Sequence, residues 1–144
     1  MTAAQSSRIV GIGYEGRSLD EVVADALAYD LVALVDVRLN PISRKPGLSK
    51  RRLAAAVAER GIEYVHLPRL GNPRWNRAGF AGSPDELAVA RDNYLAHVAT
   101  PEAEAAVEEI AAWARKGPVA VLCFEADERR CHRSVVLDLA RRLS

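Results

Sequence analysis

The stretch Val119-Ala-Val-Leu-Cys-Phe-Glu-Ala-Asp-Glu-Arg-Arg-Cys-His-Arg133 decides how the chain is read. It opens as an apolar run, Val119 to Leu122, with the length and β-branched content of a buried strand. It turns polar within two residues, and both cysteines, one of the three histidines and three arginines fall inside fifteen positions. Ser134-Val-Val-Leu-Asp-Leu-Ala-Arg-Arg142 behind it reads as an amphipathic helix. The unit is strand, loop, helix, and the loop carries more reactive side chains than a connection needs.

Working outward from that unit, the chain alternates strands and helices. Arg8-Ile-Val-Gly-Ile-Gly13 reads as a first strand. Ser18-Leu-Asp-Glu21 is a capping box that starts a helix to about Tyr29. Leu31 to Val37 is a second strand, and a Pro- and Gly-containing loop covers 40–47. Ser49 to Arg60 is a second helix, closed by Gly61. Ile62 to Leu67 is a third strand, and Pro68 to Gly82 a long irregular loop. Ser83-Pro-Asp-Glu86 is a second capping box with Pro at the first helical position, and Thr100-Pro101 starts a further helix to Lys116. Strands that alternate with helices imply a parallel sheet covered on both faces. With right-handed crossovers, the expected architecture is a three-layer, doubly wound α/β fold. It is a Rossmann-like half-fold: a four-stranded parallel sheet in the order 3-2-1-4, with helices on both faces. Residues 1–144 are expected to form a single α/β domain, with residues 1–7 flexible.

Two cysteines eight positions apart are no disulfide framework for 144 residues. No apolar run follows the polar start, so no secretory leader is expected, and none approaches the roughly 18 residues that a membrane span needs. The expected setting is the cytoplasm, with no membrane partner. The formal net charge of +1 conceals a segregation: residues 36–77 carry ten Lys or Arg against three acids, while 78–117 sum to −4. Such a basic segment fits a local anionic ligand, a nucleotide or a nucleic acid.

In open parallel sheets ligands bind beyond the carboxyl ends of the strands, where the strand order reverses. In the expected order that point lies between strands one and four, so 13–17 would face 123–133. The loops at the carboxyl ends hold Gly13, Tyr14, Arg17, Asp36, Arg38, His66, Arg69, Cys123, Glu125 and Arg133, whereas the opposite loops are plain. Arg44, Arg74 and Arg77 share this edge; Lys50, Arg51 and Arg52 sit at a helix start and read as solvated. Gly11-Ile-Gly-Tyr-Glu-Gly16 with Asp36 matches the dinucleotide pattern on paper. The capping box puts the helix start at Ser18, beyond all three glycines, which displaces the anion-binding helix end. Cys123 and Arg129 have the spacing of a thiolate phosphate loop, but Glu125, Asp127 and Glu128 between them oppose an oxyanion and raise a cysteine pKa. Asp36 and Glu125 can act as a base or a ribose ligand, with Cys123 and His132 acting in the pocket beside them. No metal site is assigned; were one present, its ligands would be Cys123, Cys131 and His66. Trp75, between Arg74 and Arg77, is expected to be its loop's hydrophobic anchor, with base stacking as the alternative.

Several motifs carry a family resemblance. They are Ile-Gly-Tyr-Glu-Gly-Arg-Ser-Leu at 12–19, Val-Asp-Val-Arg-Leu-Asn-Pro at 35–41, Ser-Arg-Lys-Pro at 43–46, and Tyr-Val-His-Leu at 64–67. Leu-Gly-Asn-Pro-Arg-Trp-Asn at 70–76, Leu-Cys-Phe-Glu at 122–125 and Cys-His-Arg at 131–133 complete the set. Together they resemble the family called domain of unknown function 488 over nearly the whole chain. The resemblance implies a single α/β domain of a largely prokaryotic family and no particular activity or cofactor. The family's characteristic polar positions match Gly13, Asp36, Arg38, Pro41, His66, Cys123, Glu125, Cys131, His132 and Arg133.

The function expected is that of a small enzyme acting on a phosphate-bearing substrate, a nucleotide or nucleic acid. Arg17, Arg38 and Arg133 would hold the anion. A non-catalytic nucleic-acid or nucleotide-binding module using Trp75 is the alternative, and a metal- or redox-sensing domain using Cys123, Cys131 and His132 is a further one.

Overall fold

The computed structural model describes residues 8–44 and 47–144, so the expectation for residues 1–7 lies outside the described residues. Four strands, β1 (Ile9–Gly13), β2 (Ala33–Asp36), β3 (Glu63–His66) and β4 (Val119–Cys123), form one all-parallel sheet. The helices are α1 (Leu19–Ala28), α2 (Lys50–Ala58), the short α3 (Arg77–Phe80), α4 (Pro84–His97), α5 (Pro101–Ala114) and α6 (Arg133–Leu143). Both capping boxes form, with the Ser18 and Ser83 hydroxyls accepting from the backbone N–H of Glu21 and Glu86. Among the described residues no helix is long and apolar enough to cross a membrane.

The strand order is β1-β4-β2-β3, which corrects the expected 3-2-1-4. The physical reason is burial. All five residues of β4 are buried, whereas three of five in β1 are only partly so. The most apolar strand takes a central place, covered on both faces, and β1 goes to the edge. Side chains of β4 alternate accordingly. Val119, Val121 and Cys123 face the layer of α4, α5 and α6, while Ala120 and Leu122 face that of α1 and α2.

The order changes what meets at the carboxyl ends. Cys123 pairs with Gly13 of β1 on one side, and on the other Leu122 pairs with Asp36 of β2. Beyond Cys123 the β1–β4 ladder continues, since Tyr14 N–H donates to Cys123 O (3.2 Å) and Glu15 N–H to Phe124 O (2.8 Å). The chain after β4 turns to α6, which packs on β1, and the chain after β2 turns to α2, which packs on β3. The two leave the sheet in opposite directions, so the crevice opens between β4 and β2 rather than between β4 and β1.

The segment 68–82 is not an irregular loop. It holds 3-10 turns at Pro68–Leu70 and Arg74–Asn76 and then α3. Trp75 is 71% exposed, which corrects its expected role as anchor. Leu70, Phe80 and two buried amides do that work. Asn76 Nδ2 donates to Asn72 Oδ1 (3.0 Å) and to Ala90 O (2.9 Å), and the Tyr94 hydroxyl donates to Leu70 O (2.6 Å). Satisfied buried polar groups fix a backbone as firmly as an indole would.

Candidate functional site

A cleft of about 240 Å³ opens between the ends of β4 and β2. Its floor is made by Cys123, Cys131 and His132, all buried, and its walls include Tyr14, Arg38, Asn72, Arg77, Phe80, Phe124, Glu125 and Arg130.

The floor is shaped by a change of backbone conformation. Cys131 is extended (φ −138°, ψ 142°) and His132 is helical (φ −59°, ψ −19°) at the start of α6. That switch turns two adjacent side chains to the same side. His132 Nδ1 lies 3.8 Å from Cys123 Sγ and 3.9 Å from Cys131 Sγ, while Cys123 Sγ is also 4.0 Å from Nε2. On the ring's far side Nε2 donates to Val37 O at 2.9 Å. A carbonyl can only accept, so the proton is fixed on Nε2 and the lone pair lies on Nδ1, with Cys123 Sγ nearly equidistant from the two nitrogens. The backbone N–H of Arg133 donates to Cys131 Sγ (3.4 Å), so the positive end of α6 also faces the sulfurs. The neighbouring Cys123 and burial push the Cys131 thiol up, against the opposing influence of His132.

The walls rest on an internal clasp. Arg38 donates Nε to Asp36 Oδ1 (2.9 Å) and Nη2 to Oδ2 (2.6 Å), a bidentate pair. Its Nη1 donates to Leu48 O (2.6 Å) and the Tyr14 hydroxyl (3.3 Å), and its guanidinium lies 5.2 Å from the Tyr14 ring centroid. Burial works against the Arg38 charge, but the hydrogen bonds and charge of Asp36 outweigh it, so the guanidinium is held above its ordinary range. Tyr64 donates to Asp36 Oδ2, and burial followed by that bond pushes its phenol up.

The residues expected from the sequence divide into two groups. Tyr14, Arg38, Cys123, Glu125, Cys131 and His132 line the cleft. Asp36 lies beneath it, wholly buried and committed to Arg38 and Tyr64. Arg17 pairs with Asp25 on α1. Arg133 is 2% exposed, donates Nη1 to Glu125 O (2.8 Å) and faces Glu128 at 3.5 Å. Arg17 and Arg38 are thus engaged by carboxylates, while the buried Arg133 Nε has no hydrogen-bond partner among the described residues. The histidine that joins the cysteines is His132, not His66, whose Nε2 donates to Arg38 O at 2.8 Å. Trp75 lies outside the cleft, in a shallow groove with Asp85, Glu86 and Val89.

The glycines of β1 have a different use from phosphate binding. A Cβ on Gly13 would sit 2.0 Å from Glu125 O, and one on Gly11 would sit 2.1 Å from Glu128 Oε1 and 3.0 Å from Arg133 Nε. Gly11 and Gly13 point to one face of the strand and make room for the first turn of α6 and its arginine. The protein's own groups occupy the space that a pyrophosphate would need.

Sequence reasoning did not single out Asn72, Phe80, Phe124 and Arg130 as site residues. Arg130 donates Nη1 to Phe80 O (3.2 Å) and Gly82 O (2.8 Å), tying the β4 loop to α3. The Asn72 and Asn76 pair, four apart in a loop rich in arginine, was the available signal for a buried amide network. Glu125 stands out for another reason: its Oε2 is buried and has no hydrogen-bond partner among the described residues. Arg77, exposed on the wall, makes no ion pair among them either.

No curated protein and no solved structure matches the chain significantly. A family model does match, over residues 18–140, and that span holds Asp36, Arg38 and Tyr64 of the clasp, the thiols, the imidazole and Glu125, with Tyr14 outside it. The chain belongs to the family described as Domain of unknown function DUF488.

Proposed function

We propose that the protein is a small enzyme acting on a phosphate-bearing substrate, of nucleotide type, in the cleft between β4 and β2. The observation that carries this reading is that one cleft is lined by two buried thiols, an imidazole of fixed tautomer and Glu125, whose Oε2 is unpartnered among the described residues. A buried carboxylate oxygen without a donor is costly unless something supplies one. A substrate hydroxyl, amine or water is the donor this reading provides. Arg77, with its uncommitted guanidinium on the wall, replaces Arg17, Arg38 and Arg133 as the first contact for phosphate, with Arg130 beside it. Leu39, Ile42 and Phe124 give the same cleft an apolar side. Two free thiols suit a reducing, cytoplasmic setting.

A panel of nucleoside mono-, di- and triphosphates, scored by thermal shift and calorimetry, tests the reading. At least one should raise Tm, and Arg77→Ala should weaken its binding about tenfold, the value of one charge-assisted hydrogen bond. A panel without any stabilising phosphate at millimolar concentration would sink it. The nucleic-acid-binding alternative has weaker support, because the exposed indole of Trp75 shares its groove with Asp85 and Glu86, whose charges oppose a phosphate backbone.

A further inference from the structure

We propose that Cys123, Cys131 and His132 hold a single thiophilic divalent ion of the zinc class, with a coordination position open to the cleft. The three candidate ligand atoms lie within 4.8 Å of one another and all three residues are buried. Zinc–sulfur bonds of about 2.3 Å and zinc–nitrogen bonds of about 2.0–2.1 Å at a tetrahedral centre put ligand atoms roughly 3.6–3.8 Å apart. The two Sγ–Nδ1 distances are 3.8 and 3.9 Å and the two sulfurs lie within 4.8 Å of each other, so each sulfur must close on the imidazole by a few tenths of an ångström and the sulfurs on one another by up to about 1 Å.

Three further observations favour an ion over a plain hydrogen-bonded cluster. First, two thiols and an imidazole, the soft donor set that zinc-class ions take, meet in one buried floor. Second, Nε2–H donates to Val37 O, the outer bond that metal-ligating histidines make to fix ring and tautomer. Third, the backbone N–H of Arg133 donates to Cys131 Sγ at 3.4 Å, an outer hydrogen bond of the kind that orients a ligating side chain. Arg133 is held by Glu125 O and Glu128, and Arg38 by Asp36, so neither guanidinium is paired with the sulfurs.

Three protein ligands leave a fourth position, and a metal with such a vacancy in a cleft is a catalytic rather than a structural site. Glu125, on the cleft wall, would accept a hydrogen bond from the water or substrate oxygen at that position. The catalytic assignment of the ion rests on the reading of the cleft as an active site; the ion itself does not.

The test uses the whole chain purified without chelator, then stripped and titrated with Zn²⁺ and Co²⁺. One ion per chain is expected, with tetrahedral Co²⁺ bands and sulfur-to-cobalt charge transfer. Cys123→Ser, Cys131→Ser and His132→Gln should each weaken binding at least a hundredfold, and His66→Gln should leave it within about threefold. Far-UV circular dichroism checks the fold of each variant, and where a serine variant fails to fold, Cys→Ala at the same position, which offers no ligand and buries no polar group, is substituted. A six-coordinate Co²⁺ spectrum without charge transfer, equal binding by wild type and His132→Gln, or oxidation of both thiols to a disulfide in the presence of excess Zn²⁺ would overturn the proposal. Arg77→Ala separates the two readings, because it should lower nucleotide binding and leave metal binding unchanged. Metal bound with no nucleotide response keeps the ion and removes the enzyme reading.

Discussion

His66 and His132 make the same bond one residue apart. Each donates Nε2–H to a carbonyl of the chain leaving β2, His132 to Val37 and His66 to Arg38. Each therefore presents Nδ1 as the nitrogen with the lone pair. Around His132 that nitrogen meets two sulfurs in a buried floor. His66 is half-buried, and its Nδ1 meets no hydrogen-bond partner among the described residues. A strand end can fix a histidine's tautomer; what stands opposite the other nitrogen decides whether that becomes chemistry.

The most severe way to break the comparison is to remove what both histidines lean on. Arg38→Ala leaves the carboxylate of Asp36 buried without its partner, and unfolding in urea should show a loss of about 3–5 kcal/mol. Both carbonyl acceptors shift with it, so the ring resonances of both histidines should move in NMR spectra. Replacing Asp36 and Arg38 together by Leu and Met should recover much of that loss.

Gly13→Ala acts on the His132 side alone. Its new Cβ would meet backbone at Glu125, with O at 2.0 Å and C at 2.8 Å, so the loop after β4 must move. A loss of about 1–3 kcal/mol is expected, with the His66 resonances unchanged. If His66 shifts as much as His132, the two sites are coupled more tightly than the hydrogen bonds imply.

The direct comparison is His132→Ala against His66→Ala. The first strands Val37 O in a buried place and should cost about 1–3 kcal/mol. The second leaves Arg38 O where water can reach it and should stay within about 0.5 kcal/mol. Equal losses would show that burial does not distinguish them. Trp75→Ala is the mildest change, also within about 0.5 kcal/mol, because the indole is exposed and Asn72, Asn76 and Phe80 anchor its loop.

The elements were legible in the sequence where a local rule governs them. Ser18–Glu21 and Ser83–Glu86 formed their capping boxes, and Gly61, with φ +74°, closes α2. The strand order was not legible, since right-handed crossovers allow either place for β4 and only the relative burial of β1 and β4 chooses between them. The loops that would flank the cleft could be picked out from which strand ends are polar. Their internal pairings could not: the partners of Arg17, Arg38 and Arg133 depend on side-chain geometry across elements. The pairing of Cys131 with His132 was not legible either, since only the turn from extended to helical backbone sets two adjacent side chains on one side. Trp75 misled because a large aromatic in a loop reads as an anchor, while two asparagines do not advertise burial.

The place of β4 between β1 and β2 has a consequence for how the molecule comes to be made. During synthesis β1 emerges first, yet its sole partner in the sheet is β4, with Ile9 against Val119. Until residues 119–123 have left the ribosome, β2 and β3 can pair but β1 has nothing to pair with. The last insertion joins the ends of a long loop, which favours slow folding. It also delivers Cys123 together with Cys131 and His132, so the floor of the cleft is completed in that same step.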